Sequence, residues 1–159
     1  MIKSTYNLDE EQKAYMEHLF IEMKKDGLVD GSSLDFILNE WGLNSFLFYY
    51  DEVGLIHGGC FLQFFNTTEI YVRLIFVDVE FRGRGIFKKF VKYIWDNFDK
   101  VIPKNTNLNP EFLCFGVMGH NKSMMKLLAS QDHYFEKASY FCLGKNNESM
   151  AKIIRSMPI

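Results

Sequence analysis

The segment from Val77 to Phe87 joins an apolar stretch to an amphipathic one through a turn that contains two glycines and two arginines. Upstream, residues 70–77 are mostly β-branched or aromatic, as in a buried strand. Downstream, large apolar residues recur at helical spacing as far as Phe98. A helix that begins after such a turn has free main-chain N–H groups in its first turn, and these bind anions. The segment is therefore predicted to bind a phosphate group.

Other glycine-rich motifs fit this segment less well. Gly83-x-Gly85-x-x-Lys88 lacks the last glycine of the dinucleotide-binding fingerprint, and no Gly-Lys-Ser/Thr follows, which excludes a P-loop. Two Arg-Gly pairs flanked by aromatic residues do not make a disordered RNA-binding segment. The remaining alternative is a purely structural glycine turn between a strand and a helix.

The register of the segment resembles the acyl-CoA-binding signature of the GNAT superfamily of N-acetyltransferases. That signature has a valine five residues before Gln/Arg-x-x-Gly-x-Gly/Ala. Here Val77 precedes Arg82-Gly83-Arg84-Gly85-Ile86-Phe87 in that register. Phe87 departs from the glycine or alanine of the family, and its helical spacing with Phe90 and Ile94 predicts that it faces the core.

The resemblance implies that main-chain N–H groups of the loop hold the diphosphate of acetyl-CoA, the acyl donor. It also implies that the pantetheine arm lies between the fourth and fifth strands and pairs with main-chain groups near Val77 and Val79. No metal site is predicted. The donor-binding residues implied by the resemblance are Val77, Val79, Arg82, Gly83, Arg84, Gly85, Ile86, Phe87 and Asn121.

A second local match to the family begins at Asn121 and runs to Leu127-Leu128. Asparagine is a good helix-capping residue, and in the family this asparagine commonly lies beside the pantetheine arm, so both roles are expected. Many family members have a tyrosine after the leucine, which protonates the departing CoA thiolate, whereas this chain has Leu128. Water is able to protonate a thiolate whose thiol has a pKa of about 8.5, so transfer does not require that tyrosine.

Two residues of the predicted fourth strand are candidates for a catalytic role. Several family members have a glutamate six residues before the aligned valine; this chain has Tyr71 there, with Glu69 two residues earlier on the same strand face. Either side chain would order a water that deprotonates the acceptor amine. The alternatives are a solvated strand start for Glu69 and sheet packing for Tyr71. Arg73, on the same face, either binds an acidic substrate or pairs with Glu69.

Two further groups of polar residues have both a functional and a structural interpretation. His57, beside Gly58-Gly59, either faces a substrate cleft or is a sheet histidine whose hydrogen bonds are satisfied. Lys88, Lys89 and Lys92 form a basic helix face, which either attracts the CoA phosphates or is simply solvated.

The composition of the 159-residue chain predicts a single domain over residues 1–159. A net charge of −2 gives no electrostatic case for nucleic acid, and no apolar run approaches the ~20 residues that span a bilayer. The N-terminus lacks an apolar signal core, and Cys60, Cys114 and Cys142 resemble reduced packing residues. We expect a cytoplasmic protein with neither nucleic-acid nor membrane partners, and homodimerisation is left open.

The predicted elements follow the order that the GNAT resemblance implies. We expect an α/β (α+β) fold: a mixed, mostly antiparallel sheet of six to seven strands, flanked by about four helices and splayed between the fourth and fifth strands. Gly58 and Gly59 predict a bulge or a close backbone approach. Strands are predicted over 2–6, 45–50, 55–65, 69–79, 111–118 and, as one or two, 133–143. Helices are predicted from an Asn7 cap to about Lys25, over 33–41, from the glycine turn to about Phe98, and over 121–130 and 146–157.

Together these features predict an N-acetyltransferase that moves an acetyl group from acetyl-CoA to a primary amine by direct transfer through a tetrahedral intermediate. The alternative is a GNAT-fold protein that binds CoA or a protein partner without catalysis, which Leu128 and the displaced glutamate motivate. The acceptor, a small molecule or a protein, is not identified by the sequence.

Overall fold

The protein is described by a computed structural model that covers residues 1–25, 35, 38, 43–64, 68–102, 107–117 and 121–156. Within these residues seven strands form one sheet in the order β1-β2-β3-β4-β5-β7-β6. The strands are β1 Ile2–Thr5, β2 Leu43–Tyr50, β3 Ile56–Phe64, β4 Glu69–Val77, β5 Phe112–Phe115, β6 Tyr134–Lys137 and β7 Tyr140–Gly144. The helices are α1 Glu10–Lys25, α2 Ile86–Asp96, α3 Phe98–Val101, α4 Lys122–Ala129 and α5 Asn147–Ser156, with a 3₁₀ turn at Val79–Phe81.

The strands are antiparallel to their neighbours except at β4 and β5, which are parallel. Residues 69–72 of β4 pair with Phe112–Phe115, and β5 ends there, whereas β4 continues to Val77 along β3. The fourth and fifth strands therefore part beyond Val72, as predicted. The register to β3 also shifts, because Phe61 pairs with Leu74 and the next residue of β3 pairs with Val72, which leaves Arg73 as a bulge.

Helices cover both faces of the sheet, because side chains alternate along each strand. On one face α2 and α4 pack on a large core that includes Phe90, Ile94 and Leu128. On the opposite face α1 packs over β2–β4 and α5 packs over β5 and β7. Glu69 and Tyr71 alternate with residues of the α2 core, so they lie on the face that α1 and α5 share.

Most predicted elements are confirmed, but several have shifted ends; β5, for example, spans Phe112–Phe115 rather than 111–118. The cap of α1 is Asp9 rather than Asn7: the Asp9 Oδ1 accepts the Gln12 N–H at 2.8 Å, and the Asp9 N–H donates to the Gln12 Oε1 at 3.0 Å. This reciprocal pair satisfies two donors at the helix start. Strand β4 ends at Val77 rather than Val79, because Val79 begins the 3₁₀ turn. The predicted helix over 33–41 lies outside the described residues, except for the helical Asp35 and Leu38.

The two glycines of β3 allow close approach on both faces of the sheet, as predicted. A β-carbon on Gly58 would lie 3.2 Å from the carbonyl oxygen of Phe76 and 3.3 Å from the Phe90 ring, and one on Gly59 would lie 3.3 Å from the Met16 sulfur. The bulges lie near these glycines but not at them. The register shifts between Tyr49 and Tyr50 where β2 pairs with β3, and between Phe61 and Leu62 where β3 pairs with β4.

The three cysteines are free and buried, as expected. Cys114 and Cys142 lie side by side on β5 and β7, with their sulfur atoms 3.8 Å apart. Within the described ranges, no helix combines the length and the apolar character that crossing a bilayer requires.

Candidate functional site

The turn between β4 and α2 requires glycine for its backbone conformation. Gly83 has φ +78° and Gly85 has φ +74°, values in the left-handed region that other residues rarely adopt. A β-carbon on either residue would meet no atom within 4 Å, so packing does not exclude a side chain. The two glycines are therefore needed for the direction in which they turn the chain.

Gly85 precedes the first residue of α2, and no side chain caps this helix. The first N–H groups of a helix have no partner within it, and the helix dipole adds a partial positive charge there. Ile86, the first residue of the helix, is buried beneath the turn, while Gly83, Arg84 and Gly85 are exposed. The start of α2 is thus open to an anion from solvent.

Both arginines of the turn bind main-chain oxygens of the same segment. The Arg82 Nε donates to the Val77 carbonyl at 2.9 Å, and the Arg84 Nη2 donates to the Glu80 carbonyl at 3.1 Å. The Arg82 guanidinium also lies over the Phe76 ring. These contacts hold the turn in shape and leave two positive charges at its exposed rim.

The main chain of β4 offers hydrogen-bonding groups to the gap between β4 and β5. The Asp78 N–H donates to the His57 carbonyl at 2.8 Å, so Asp78 and His57 form a hydrogen-bonded antiparallel pair. Since such pairs alternate along a ladder, the main-chain groups of Val77 and Ile75 point away from β3 and toward the gap. The Val77 carbonyl is the oxygen that accepts the Arg82 Nε.

A small cavity of about 50 Å³ occupies the point where β4 and β5 part. Asn121 lines it and also caps α4, because its Oδ1 accepts the Met124 N–H at 3.3 Å. The predicted cap is confirmed, and a contact with the pantetheine arm stays a prediction. The other lining residues are Met23, Val72, Arg73, Leu74, Ile75, Phe115, Gly116, Val117 and Met124.

Phe87 faces the core, as its helical spacing predicted. It is 8% exposed and its ring centroid lies 6.1 Å from that of Phe115. The side chain therefore fills space between α2 and β5 and does not obstruct the exposed glycine turn. Leu128, which stands where many family members have tyrosine, is fully buried.

The two candidate catalytic residues lie on the paired stretch of β4, at the closed end of the gap. The Glu69 carboxylate is 3.7 Å from the Lys137 Nζ on β6. The Tyr71 ring packs edge-on against Tyr140, and its hydroxyl is 2.9 Å from the position that a β-carbon on Gly116 would occupy.

Val79, one of the residues expected to pair with the pantetheine arm, lies on the 3₁₀ turn and is 70% exposed.

A cluster that the sequence did not predict lies beside the glycine turn. The His57 Nε2 is 2.7 Å from the Asp51 Oδ2, and its Nδ1 is 3.1 Å from the Asp78 Oδ2. His57 is thus a sheet histidine with satisfied hydrogen bonds, one of the two interpretations above. The hairpin between β2 and β3 and the register of β3 with β4 bring the three residues together, and only the correct register would have revealed this from sequence.

A larger cavity, of about 240 Å³, lies along α2. Lys88 and Lys92 line it from that helix, and Lys145 lines it from the end of β7. Neither Gly83 nor Gly85 lines this cavity.

No protein-family model matches the sequence, and no curated protein is similar to it. Solved structures do resemble this one. A GNAT-family acetyltransferase from Staphylococcus aureus has a TM-score of 0.61 at 13% identity, over 92% of this chain and 100% of that one. Spermidine N-acetyltransferase from Vibrio cholerae, in complex with CoA and spermine, has a TM-score of 0.63 at 9% identity, over 94% of this chain and 98% of that one.

A ribosomal-protein alanine N-acetyltransferase from Escherichia coli has a TM-score of 0.53 at 16% identity, over 91% of this chain and 94% of that one. These proteins are similar over nearly their whole length, but their sequences have diverged widely. They share with this chain a sheet flanked by helices in which β4 and β5 form a parallel pair. The chain therefore has the fold of the GNAT acetyltransferases.

Proposed function

We propose that this protein is an acetyl-CoA-dependent N-acetyltransferase that acts on a primary amine. One observation carries the proposal: the exposed glycine turn at the start of α2 follows the end of β4, whose last residues, 73–77, have already parted from β5. A ligand with a diphosphate and an extended amide arm suits this pair of features, because the turn binds the anion and the gap accepts the arm.

Main-chain groups would do most of the binding of the donor. The N–H groups of Gly83, Arg84, Gly85 and the first turn of α2 surround the diphosphate, and the two arginine side chains add positive charge. The main-chain groups of Ile75 and Val77 that point into the gap pair with the pantetheine amides. Asn121 borders the same gap from the start of α4.

Transfer is direct in this proposal. The neutral amine attacks the thioester carbonyl, and the C–N bond forms as the carbonyl becomes an oxyanion. The nitrogen then gives its extra proton to water, and the C–S bond breaks to release the CoA thiolate. A main-chain N–H of β4 that faces the gap stabilises the oxyanion, and such donors are often worth about 3 kcal/mol. Leu128 is buried and has no acidic proton to donate, so water protonates the thiolate.

The amine must lose a proton before it attacks, since an alkylammonium has a pKa of about 10.4. Glu69 and Tyr71 are the candidates for ordering the water that takes this proton. They lie on the face of the sheet opposite α2 and α4, so we propose that the acceptor approaches from the side of α1 and α5. The Lys137 Nζ lies 3.7 Å from the Glu69 carboxylate on that side of the sheet.

A non-catalytic protein that binds CoA is the second candidate function, and the buried Leu128 favours it. The two candidates share the donor site and differ in chemistry. Release of free thiol from acetyl-CoA distinguishes them, with a panel of a polyamine, single amino acids and short peptides with free N-termini. Thiol release above the hydrolytic background with any amine supports the enzyme. Binding of acetyl-CoA without release for the whole panel supports the second candidate.

The donor site itself is tested by thermal stabilisation with saturating acetyl-CoA. Gly85→Glu, which adds negative charge at the start of α2, is expected to abolish the stabilisation. Gly85→Gln is the matched control, because it adds a side chain of the same size at the same left-handed residue without the charge, and it is expected to keep part of the stabilisation. Equal stabilisation of wild type and Gly85→Glu would exclude the turn as the anion site. A cytoplasmic location stays a prediction, and homodimerisation stays open.

A further inference from the structure

We propose that His57 is a positioning residue for the glycine turn: as an imidazolium held between Asp51 and Asp78, it orders residues 78–85 and thereby sets the affinity for CoA. The first half of this proposal concerns the turn alone. The second half rests on the proposed function, because it takes CoA as the ligand of that turn.

The two ring nitrogens of His57 each face a carboxylate oxygen. The Asp51 Oδ2 lies 2.7 Å from Nε2 and the Asp78 Oδ2 lies 3.1 Å from Nδ1. Only the protonated ring donates from both nitrogens. Asp78 is the residue that follows β4, so the second of these bonds ties the ring to the first residue of the turn.

The other oxygens of the two carboxylates are held by further donors. The Asp51 Oδ1 accepts the main-chain N–H groups of Val53 at 3.0 Å and Leu55 at 2.9 Å. The Asp78 Oδ1 accepts the Tyr15 hydroxyl at 2.9 Å. Each carboxylate is therefore oriented on one side by the fold and on the other by His57, which is a rigid arrangement for an ion pair.

The ring of His57 also supports the turn by stacking. Its centroid lies 3.8 Å from that of Phe81, with the two planes 14° apart. The Arg84 guanidinium lies 4.5 Å from the same Phe81 ring. Phe81 thus links the histidine to one of the two cations at the rim of the turn, and it is the last residue of the 3₁₀ turn. Two contacts, at Asp78 and at Phe81, therefore connect His57 to the segment.

The charged and titratable groups around the ring come from every neighbouring element. Asp51 lies at the start of the β2–β3 turn, Asp78 and Glu80 lie beyond β4, Tyr15 lies on α1, and Arg84 lies across Phe81. Burial opposes the charge of the ring, but the hydrogen bonds to Asp51 and Asp78 and their negative charges outweigh it and raise the pKa of His57. The positive ring is thus favoured by its surroundings.

The same residues invite a different interpretation, a metal site. Ligand atoms of His57, Asp78 and Glu80 all lie within 4.8 Å of one another. A metal would need a ring nitrogen to give up its proton, however, and both nitrogens already lie at hydrogen-bonding distance from oxygens that the fold orients. The geometry favours the imidazolium, and a metal becomes an outcome of the test.

The test compares wild type with His57→Gln, which removes the charge and the stacked ring, and with His57→Phe, which keeps a ring without charge. His18→Gln is the control, since His18 is exposed on α1. Hydrogen exchange is measured at the amides of Phe81 and Arg82, which donate to the Asp78 and Val79 carbonyls at 2.9 and 3.2 Å, without ligand from pH 5.5 to 9 and corrected for intrinsic rates. CoA dissociation constants are measured over the same range.

In wild type and His18→Gln, protection of the turn is expected to fall as the pH rises through the raised pKa of His57, and CoA binding is expected to weaken about tenfold. In both His57 variants the turn should be weakly protected at every pH. The CoA phosphates also titrate in this pH range and change the dissociation constants of all variants alike. Comparing the His57 variants with His18→Gln therefore separates the effect of His57 from that of the phosphates.

Nitrogen NMR of His57 in unliganded wild type keeps the proposal testable if the variants do not fold. A single protonated ring nitrogen at pH 6 would overturn it, as would protection of the turn that follows the same pH profile in wild type and His57→Gln. Stoichiometric zinc binding that His57→Gln abolishes would replace it with the metal site. If the turn responds to pH as expected but CoA binds at no pH, the proposed function fails and the positioning role stands.

Discussion

The hydroxyl of Tyr71 lies against Gly116, 2.9 Å from the position that a β-carbon on Gly116 would occupy. Tyr71 is on the paired stretch of β4, and Gly116 is the first residue beyond β5, so the contact lies where the two strands part. Because Gly116 has no side chain, there is room beside it for the Tyr71 hydroxyl. This contact gives the Tyr71 side chain a defined position where β4 and β5 part.

Gly116→Ala is expected to displace the Tyr71 side chain. Its methyl carbon would lie 2.9 Å from the Tyr71 hydroxyl oxygen, which is closer than the van der Waals contact distance of the two atoms. We expect a loss of about 1–2 kcal/mol in the free energy of unfolding. If Tyr71 orders the water of the reaction, thiol release should fall further than acetyl-CoA affinity does. Urea denaturation and steady-state kinetics measure the two effects.

The control for this prediction is Tyr71→Phe, which removes the hydroxyl and leaves the ring. In the double variant the added methyl group has room, so the stability cost of Gly116→Ala should become smaller in the Tyr71→Phe background. A cost that is equal in both backgrounds would contradict the contact.

Gly83→Ala is expected to weaken CoA binding through backbone strain. Alanine at φ +78° costs about 1–2 kcal/mol, and the strain is relieved if the turn leaves the conformation that presents its N–H groups. Gly83→Asn should be milder, since asparagine tolerates this conformation. Isothermal titration with CoA should rank the affinities as glycine, then asparagine, then alanine. Equal affinities for all three would mean that the conformation of Gly83 does not matter for binding.

Asn121 offers a way to separate its cap from its contact with the donor. Asn121→Ala should lower stability by about 1 kcal/mol, because the Met124 N–H loses its acceptor. Asn121→Asp keeps an acceptor oxygen for that N–H and should keep the stability, but it adds a negative charge to the cavity between β4 and β5. Weaker CoA binding by the aspartate variant at unchanged stability is expected. Unchanged CoA binding would leave Asn121 as a helix cap only.

The two glycines of β3 should differ in their tolerance of alanine. Gly58→Ala meets the main-chain carbonyl of Phe76 and the Phe90 ring, neither of which moves easily, and is expected to cost about 1–3 kcal/mol. The nearest atoms to the β-carbon of Gly59→Ala belong to side chains of α1, the flexible Met16 and the Tyr15 ring, each at 3.3 Å. No main-chain atom is among them, so this variant should cost less. Thermal unfolding of the two variants, side by side, checks the order.

The pH dependence of stability should carry the signature of His57. Its pKa is raised in the folded protein, so its stabilisation is complete below the ordinary value of about 6.5 and is lost as pH rises through the raised pKa. The pKa of Asp51 is lowered, first by the Leu55 N–H, so its contribution is present above about pH 4 and is lost as pH falls through the lowered pKa. Urea midpoints should therefore decline above pH 6.5 in wild type.

His57→Gln should remove that alkaline decline while His18→Gln retains it. An unchanged decline in His57→Gln would assign the pH dependence to another group.

Local pattern was sufficient for the strand, turn and helix around Gly83 and Gly85. The patterns that predict these elements lie within short segments: apolar periodicity, glycines at a turn and an asparagine cap. They can therefore be recognised from the sequence without knowledge of the tertiary structure. Helix ends were less predictable, since Asn7 and Asp9 are both good caps and only the reciprocal bond with Gln12 decides between them. The end of β4 lies earlier than predicted, because the chain enters a 3₁₀ turn at Val79.

By itself, the sequence determined the glycine turn, the core-facing Phe87 and the order of elements that resembles the GNAT fold, because these depend on spacing along one segment. Only the tertiary structure decided that His57 meets both Asp51 and Asp78, and that Tyr71 lies against Gly116. Those contacts join residues that lie on or just beyond different strands, and their existence depends on the register of one strand against the next. A shift of one residue in that register would turn each side chain to the other face.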